Sequence, residues 1–512
     1  MSASPYNAAV DLLGRNLDGS GRARRYLITE ERSFSYEEVA AAADAAGAGL
    51  LDLGLGAGDR VVLCLRDGPE FVAAFWGAMK AGLVPIPLAQ GLASADLDFI
   101  LADSEARATV CDLSSASALL PAAARAGIQT VFVGEGTPDG ARAWSEICAG
   151  SARLEAAATD EDDVALWLYT SGTTGLPKAA MHRHRHLRFA PTALARQVIG
   201  LEPDDVVLSV SKMFFAYGLG NSVYLPAAAG ASVIVHPGPA MPARVHALMS
   251  AQSPTLLFGV PAFFGALSMM DDASLPPSVR MVLSAGEALT PSLLERFRDR
   301  FGRPLVDGLG STEALHHFTC NDPNEIVPGS AGRALDGYAI RARDRDGNDV
   351  PEGEPGELWV KGPTTFAGYW RRPELTARAY DGAWMRTGDL VRIVDGRLYH
   401  DGRLDDLIKL GGVWVSPVEI EDVLRAHPDV REAAVVALDD DAGLPILKAF
   451  ITSERDDGTL ARELVRACKG RLATYKIPRA VEVVTELPRT PTGKLKRFVL
   501  RNGEGASGRP KI

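Results

Sequence analysis

The amino-acid sequence predicts an α/β protein with a large N-terminal domain of doubly wound sheets, followed by a small α+β domain. Three observations support this fold class. β-prone segments alternate with helical segments between residues 35 and 133, an order typical of a largely parallel sheet. The length of 512 residues exceeds what a single hydrophobic core usually holds. Residues 419–500 again alternate helix and strand, over a length that suits one small domain.

The first elements can be assigned in chain order. A helix is predicted over residues 35–53, because Ser35 and Glu38 have the spacing of a capping box. A helix is also predicted at about 69–81, where the apolar residues recur with helical spacing. The predicted strands of this part of the chain cover residues 60–65, 84–88, 108–111 and 130–133.

Composition excludes several functional classes. A hydrophobic content of 46% and a charged content of 23% are ordinary for a globular protein. The net charge of −11 argues against a nucleic-acid partner. We expect no membrane partner, no signal peptide and a cytoplasmic location, since no apolar segment reaches the length of a membrane span. The cysteines show no C-x-x-C spacing and are expected to be reduced, mostly buried thiols: Cys64, Cys111, Cys148, Cys320 and Cys468.

A loop rich in hydroxyls and glycines follows the apolar, β-prone segment 164–169. Six of the eight residues after this segment are Thr, Ser or Gly, and Lys178 comes next. Such a loop offers backbone N–H groups, hydroxyls and one positive charge to a phosphate. Pro177 stands five places after Gly172, so the spacing is not that of a Walker P-loop. The candidate phosphate-binding residues are Thr170, Ser171, Gly172, Thr173, Thr174, Gly175 and Lys178.

The segment from Tyr169 to Lys178 resembles the signature of the adenylate-forming superfamily. This superfamily comprises acyl- and aryl-CoA synthetases, peptide-synthetase adenylation domains and luciferases. Ala179 replaces the glycine that usually follows the lysine, a small departure that leaves the phosphate contacts in place. Four further motifs occur in the family's order, so the resemblance extends over nearly the whole chain.

Residues 205–221 combine a strand pattern with aromatic residues and glycines. A core strand with a glycine-rich turn is one interpretation, in which Lys212 is a surface charge. The stretch also resembles the benzoate-CoA ligase branch, where the residues corresponding to Ala216 and Tyr217 line the aryl site. In that interpretation, Gly218 and Gly220 let a ligand approach the backbone.

Two later motifs suit a nucleotide. The resemblance implies an adenine platform, with Gly286, Glu287 and Ala288 in one motif and Asp307, Gly308 and Leu309 in the other. Thr312 and Glu313 stand side by side after a predicted strand, where a hydroxyl can donate to the α-phosphate and a carboxylate suits Mg²⁺. The resemblance assigns them these roles, and Thr174 is the second residue assigned to the metal. A plain helix N-cap is the alternative for this turn.

Histidines follow the Thr312–Glu313 pair and also the loop that ends at Lys178. The resemblance places Gly310 and His316 in the acid pocket, whereas His317 stands where an aliphatic residue is expected. The His317 imidazole either bonds a ring hydroxyl, amino group or ring nitrogen of the substrate, or points into solvent. Histidines also occupy positions 182, 184 and 186, and we interpret them as the polar start of a helix rather than a metal site, because no cysteine or carboxylate stands near them.

The last motifs lie toward the C-terminus. Asp389 follows a glycine turn and is the expected ribose ligand. The resemblance implies that Arg403 reaches the nucleotide, that Asp405 is a hinge, and that Gly411 and Gly412 border the CoA tunnel. It also implies that Lys494 reaches the α-phosphate during adenylation. The predicted domains are therefore residues 1–404 and a mobile small domain, residues 405–512.

Together these motifs resemble those of an ATP-dependent aryl-CoA ligase, and the resemblance implies a monomer or homodimer that uses Mg²⁺, CoA and a small aromatic carboxylic acid. One alternative is an aryl adenylation enzyme that loads an acyl carrier protein. A second, an aliphatic acyl-CoA synthetase, is disfavoured by the aromatic residues at 214–217. A third is a nucleotide-binding regulatory protein without turnover, which has no need to retain Lys494, Glu313 and Asp389.

Overall fold

The computed structural model describes residues 5–150, 153–170, 176–410, 413–439, 445–455, 458–469, 471–489 and 495–501. The chain forms two compact units. The N-terminal unit contains residues 1–340, 359–386 and 396–398, and the C-terminal unit contains residues 341–358, 387–395 and 399–512. Nothing in this division tests the predicted hinge at Asp405, which stays a prediction.

The N-terminal unit is built on a central sheet of mainly parallel strands. Strands Ser232–Ile234, Val206–Ser209, Leu256–Gly259, Met281–Ser284 and Leu305–Gly310 follow one another in parallel across the sheet. Arg25–Ile28 extends it in parallel beside Ser232–Ile234, and the strands Ser33–Ser35, His317–Cys320 and Arg333–Ala334 add to it in antiparallel pairings. Because parallel strands share a carboxyl edge, the residues after Gly259, Ser284 and Gly310 lie along one edge of the sheet.

A second sheet in the N-terminal unit is entirely parallel. Its strands lie in the order Val84–Pro87, Arg60–Cys64, Ala108–Asp112, Gln129–Val133 and Ala141–Ala143. Almost all side chains of the first three strands in this order are buried, as expected for a parallel sheet covered by helices on both faces. The two sheets confirm the predicted α/β class.

Helices cover both sheets of the N-terminal unit. The helix that begins after Ser35 has the predicted capping box: the Ser35 hydroxyl accepts from the Glu38 N–H, and the Glu38 carboxylate accepts from the Ser35 N–H. The helices are Ala8–Leu12, Tyr36–Asp52, Pro69–Lys80, Ser94–Ser104, Leu113–Ala126, Trp144–Ile147, His184–Pro191, Ala216–Leu219, Leu225–Ala229, Pro242–Gln252, Pro261–Ser268, Pro291–Phe301 and Pro373–Ala379, with π-helical turns at Thr192–Ile199 and Gly220–Tyr224.

The C-terminal unit is a smaller α+β structure. Strands Glu432–Asp439 and Pro445–Thr452 are antiparallel, and Ala480–Val484 adds to the second in parallel. Helices Pro417–Arg425, Leu460–Lys469 and Arg497–Arg501 belong to this unit, together with the hairpin strands Ile408–Leu410 and Val413–Val415. The chain passes between the two units in the strands Ala339–Arg343, Gly356–Lys361, Trp384–Val394 and Arg397–Arg403.

The cysteines and the helices agree with the sequence analysis. All five cysteines are free, and all except Cys148 are buried, as predicted. Across the part of the chain that the structure describes, every helix is too short or too polar to span a bilayer.

The buried histidines give the fold a pH dependence. Burial lowers the pKa of His182 and His184 to about 4 and that of His186 to about 2. Their pKa in the unfolded chain is about 6.5, so the unfolded state binds more protons below pH 6.5. We expect the free energy of unfolding to fall as the pH drops from 6.5 toward 4, by up to about 1.4 kcal/mol per pH unit for each of these histidines. Urea denaturation at pH 7 and pH 5 measures this loss.

His184→Asn is the matched variant for that measurement. The His184 Nδ1 accepts from the Ala8 N–H at 3.1 Å, and an asparagine carbonyl can accept in its place without titrating. The variant should lose less stability between pH 7 and pH 5 than the wild type. An unchanged pH dependence in the variant would show that His184 is not among the groups responsible.

Candidate active site

The predicted adenine-binding residues lie at the carboxyl edge of the central sheet. Gly286 and Glu287 follow strand Met281–Ser284, and Gly286 has φ +91°, a conformation that favours glycine. Asp307 pairs in register with Ser284 on the neighbouring strand. Its side chain is only 6% exposed, and burial raises its pKa well above the ordinary value. Its Oδ1 has no hydrogen-bond partner among the described residues, so this edge offers a buried acceptor to a ligand.

The turn that carries Thr312 and Glu313 is fixed through its backbone. Ser311 caps the 3₁₀ turn Thr312–Ala314, with its hydroxyl accepting from the Ala314 N–H at 3.1 Å. The capping predicted from the sequence is therefore present. The carbonyl of Thr312 lies 2.8 Å from the His182 Nε2, and that of Glu313 accepts from the Phe366 N–H at 2.7 Å. These contacts use backbone atoms of the turn and leave the Thr312 hydroxyl and the Glu313 carboxylate for other interactions.

Tyr369 connects the Glu313 carboxylate to Lys178, the lysine of the predicted phosphate-binding loop. The Lys178 Nζ donates to the Tyr369 hydroxyl at 2.7 Å, and this hydroxyl donates to the Glu313 Oε1 at 2.7 Å. Lys178 also lies 4.0 Å from the centroid of the Tyr369 ring. A positive charge and a hard carboxylate oxygen are thus held on the same phenol hydroxyl. This is the donor set that a phosphate and its magnesium ion require, since Mg²⁺ is commonly held by one or two carboxylates together with substrate phosphates.

The predicted phosphate-binding loop lies between two antiparallel strands. Val164–Thr170 pairs with Lys178–Arg183, and Thr170 is directly opposite Lys178. Residues Ser171, Gly172, Thr173, Thr174 and Gly175 lie outside the described residues. The described ends of the loop therefore meet at the base of a hairpin, which places Thr170 beside Lys178.

The histidines after the loop do not converge on one point. His182 lies at the end of a strand, and the following helix begins at His184, so the expected helix start is right for the last two only. The Nδ1 atoms of His182 and His186 face each other at 3.2 Å, while His184 contacts the Ala8 backbone. In the described ranges of the chain, no group of three metal-ligating side chains comes together.

The predicted aryl wall and both predicted pocket histidines meet in the structure. The Tyr217 ring is half-buried, and its centroid lies 5.6 Å from that of His316, 5.4 Å from that of His317 and 6.2 Å from that of Phe258. His317 is 3% exposed and His316 is 5% exposed. The alternative in which His317 points into solvent is therefore wrong.

The glycines of this region serve protein packing. A Cβ on Gly218 would lie 2.0 Å from the Lys212 carbonyl oxygen, and one on Gly220 would lie 2.3 Å from the His316 ring. The predicted approach of a ligand to these two glycines is wrong, because the protein itself occupies that space. Gly310 is similar, since a Cβ there would lie 2.4 Å from the His316 carbonyl oxygen. Lys212 is not a plain surface charge either, since its Nζ donates to the His236 carbonyl at 2.7 Å.

Asp389 and Arg403 form an ion pair within the C-terminal unit. The Arg403 Nη1 lies 2.8 Å from the Asp389 Oδ1, and the His400 Nε2 lies 3.3 Å from the same oxygen. Burial opposes ionisation of Asp389, but the His400 hydrogen bond and the Arg403 charge together lower its pKa. This carboxylate stays ionised and can accept hydrogen bonds from a diol.

The other predicted site residues of the C-terminal unit are Asp405, Gly411, Gly412 and Lys494. Asp405 is exposed in the 3₁₀ turn Leu404–Asp406, and its role as a hinge stays a prediction. Gly411, Gly412 and Lys494 lie outside the described residues.

Two large surface cavities of the N-terminal unit lie away from these motifs. One of about 940 Å³ is bordered by Tyr6, Arg15 and Arg188, and one of about 660 Å³ is bordered by Phe189, Lys361 and Tyr380. Neither is lined by a described residue of the predicted site. The motifs, rather than cavity size, locate the candidate site.

Comparison with known proteins identifies the family. Residues 16–370 match the family described as AMP-binding enzyme, and residues 419–494 match the AMP-binding enzyme C-terminal domain. The chain belongs to the AMP-binding enzyme family. This confirms the resemblance drawn from the sequence motifs.

Relatives within the AMP-binding enzymes match over nearly the full chain. A benzoate–CoA ligase of Thauera aromatica is 38% identical over 506 residues, covering 97% of this chain and 96% of that protein. A 4-hydroxybenzoate–CoA/benzoate–CoA ligase of Rhodopseudomonas palustris is 38% identical over 512 residues, covering 98% and 95%. The crystal structure of the anthranilate CoA ligase AuaEII in complex with anthranoyl-AMP is 33% identical, with a TM-score of 0.92, and covers 98% of this chain and 97% of that one.

The sequence did not predict that three residues of this AMP-binding enzyme contact the candidate site. Tyr369 and His182 fix the Glu313 turn, and Asn221 contacts His316 at 3.2 Å. Tyr369 is 56 residues from Glu313 and 191 from Lys178, so no local spacing connects them. The π-helical turn Gly220–Tyr224, which carries Asn221, is the kind of irregularity often found at functional sites, but the sequence did not predict it.

Proposed function

We propose that this protein is an ATP-dependent aryl-CoA ligase, which joins a small aromatic acid to CoA through an aryl-adenylate. The observation that carries the proposal is the cluster formed by the rings of Tyr217, His316 and His317. The two histidines directly follow the turn that carries Thr312 and Glu313. An aromatic wall beside a phosphate-binding turn suits an aryl carboxylate that attacks a nucleotide. The full-length relatives with benzoate, hydroxybenzoate and anthranilate in their names support this substrate class.

In the first half-reaction, the substrate carboxylate attacks the α-phosphorus of ATP and pyrophosphate leaves. The protein needs no nucleophile of its own, so its contribution is orientation and charge stabilisation. Lys178 and the loop before it hold the phosphates, and Thr312 donates to the α-phosphate. Glu313 is the residue that would hold Mg²⁺, and a bound magnesium ion neutralises the phosphate charge. Asp307 accepts from the adenine amino group, and Asp389 accepts from the ribose hydroxyls.

In the second half-reaction, the CoA thiol attacks the mixed anhydride and AMP leaves. We propose that the C-terminal domain turns about Asp405 between the two steps, which moves Lys494 away and admits the thiol beside Gly411 and Gly412. Such a movement is a conformational gate of the kind that many enzymes use to separate steps.

The test is ATP-dependent pyrophosphate release, measured with and without CoA. The acids to compare are benzoate, hydroxy- and aminobenzoates, pyridine carboxylates, cinnamates and medium-chain fatty acids. Rapid turnover of an aryl acid only in the presence of CoA is the expected result. A burst of aryl-AMP that CoA does not discharge would point to a carrier-protein acceptor, and preference for fatty acids or the absence of any turnover would refute the proposal.

A further inference from the structure

The His317 side chain ends in a buried nitrogen without a protein partner. Its Nε2 has no hydrogen-bond partner among the described residues, although the residue is only 3% exposed. The Nε2 lies 3.0 Å from where a Cβ on Gly308 would stand, so the ring faces bare backbone at this end. A buried polar atom costs free energy unless it is paired, so this nitrogen is a binding position for a polar group of a ligand.

The polarity of that nitrogen follows from a chain of hydrogen bonds that begins at Ser209. The Ser209 hydroxyl donates to the Ser211 carbonyl at 3.2 Å, so its lone pairs remain to accept from the Asn221 Nδ2, which lies 3.5 Å away. This orients the Asn221 carbonyl oxygen toward the His316 Nε2, at 3.2 Å. A carbonyl oxygen can only accept, so His316 carries its proton on Nε2.

The same argument fixes the tautomer of His317. Burial lowers the pKa of both imidazoles, that of His317 to about 4, so each is neutral near pH 7 and carries one proton. With its proton on Nε2, His316 has only a lone pair at Nδ1. The Nδ1 atoms of the two rings are 3.0 Å apart, so His317 donates from Nδ1 to His316. The Nε2 of His317 is therefore a lone-pair acceptor.

This acceptor belongs to the aryl wall. The His317 ring meets the Tyr217 ring edge to face, with an interplanar angle of 61°. Tyr217 is half-buried, so the protein leaves part of this side chain uncovered for contact with a ligand. We propose that the preferred aryl acid carries a hydrogen-bond donor on its ring, a hydroxyl or an amino group, which donates to the Nε2 of His317.

This inference rests on the proposed aryl-CoA ligase function and narrows its substrate. The sequence left a ring hydroxyl, an amino group and a ring nitrogen open as partners of His317. The hydrogen-bond chain removes the ring nitrogen, because a pyridine nitrogen would place a second lone pair against that of His317. A methoxy oxygen is excluded for the same reason, and unsubstituted benzoate leaves the nitrogen unpaired.

The test compares matched acids under one assay. Pyrophosphate release with CoA should be measured for benzoate and for the 2-, 3- and 4-isomers of hydroxy-, amino- and methoxybenzoate, together with the three pyridine carboxylates. At one ring position, the hydroxybenzoate or the aminobenzoate should exceed benzoate and the matching methoxybenzoate by about 10- to 100-fold in kcat/KM. Equal or better turnover of benzoate, a methoxybenzoate or a pyridine carboxylate would overturn this inference and leave the ligase function standing. No turnover of any aryl acid with CoA would instead refute the proposed function.

Two variants connect the preference to the nitrogen. His317→Leu should reduce the ratio of the donor-bearing acid to benzoate to near one, whereas His317→Gln, whose amide oxygen can accept, should restore part of it. His246→Leu, at a half-buried histidine outside the site, is the matched control and should keep the wild-type ratio. A wild-type ratio in a folded His317→Leu protein would overturn the assignment.

A spectroscopic readout is independent of turnover. Nitrogen-15 NMR of histidine-labelled protein, with the His317 signals assigned by their loss in His317→Leu, reports the protonation of each ring nitrogen. A proton on Nδ1 and none on Nε2 is expected. A proton on Nε2 would reverse the polarity of the site and overturn the proposal.

Discussion

Glu313→Gln is expected to slow adenylate formation by about 10²–10³-fold, because a neutral amide binds Mg²⁺ far less well than a carboxylate. The Glu313 Oε1 accepts from Tyr369 in the structure, and a glutamine oxygen can accept there too, so the turn should keep its geometry. The loss should therefore be confined to the metal. A titration of Mg²⁺ at saturating ATP should show a large increase in the concentration needed for half-maximal pyrophosphate release.

Tyr369→Phe is the companion variant for that experiment. It keeps the carboxylate but removes the hydroxyl that joins Lys178 to Glu313. Removing a group that only orients a metal ligand typically costs about 10- to 100-fold, so a smaller effect than that of Glu313→Gln is expected. Calorimetric titration of each variant with ATP, with and without Mg²⁺, adds a readout that does not depend on turnover. Equal Mg²⁺ dependence in Glu313→Gln and the wild type would remove Glu313 from the metal site.

Much of the fold was predictable because its signals are local. The capping box at Ser35 and Glu38 identified the first long helix, and short apolar segments identified strands such as Arg60–Cys64. The family could be predicted for a different reason. Phosphate and adenine binding depend on backbone shape, which requires particular residues at fixed spacing. Such residue patterns can be read directly from the sequence.

The contacts within the site were less predictable, because they join distant parts of the chain. The Tyr369 hydroxyl and the His182 ring lie 56 and 130 residues away from their partners in the Glu313 turn, so only the tertiary fold brings them together. The roles of Gly218 and Gly220 were misjudged for a related reason. A glycine signals close approach, but the sequence does not say whether a ligand or the protein itself makes that approach.

The His317 environment shows what the structure adds to a correct residue assignment. Sequence reasoning selected His317 because an imidazole is unusual there, yet it left solvent and substrate equally open. The burial of His317 excludes the interpretation in which it points into solvent. The contacts that link His317 to His316 and His316 to Asn221 determine which nitrogen carries the proton. Donor and acceptor polarity is a property of a network, so it could not be obtained from one residue.

Lys494→Ala should abolish the first half-reaction and spare the second. If the ammonium group stabilises the charge that develops on the α-phosphate, its removal should reduce ATP–pyrophosphate exchange by about 10²–10³-fold or more. Lys494 lies outside the described residues, but the described residues on either side of it contact each other within the C-terminal unit. The Lys496 N–H donates to the Pro488 carbonyl at 2.8 Å, and Arg489 and Leu495 form an antiparallel bridge.

The two half-reactions can be measured separately on the same protein. Exchange of pyrophosphate into ATP reports adenylation, and thioester formation from synthetic aryl-AMP and CoA reports the second step. A group that acts only in the first transition state lowers the first rate and leaves the second unchanged. Lys496→Ala, at the next lysine of the same segment, is the matched control and should reduce neither rate substantially. Equal loss of both half-reactions in Lys494→Ala would assign the lysine to folding or to general nucleotide binding. A loss confined to the first half-reaction would assign it to adenylation alone.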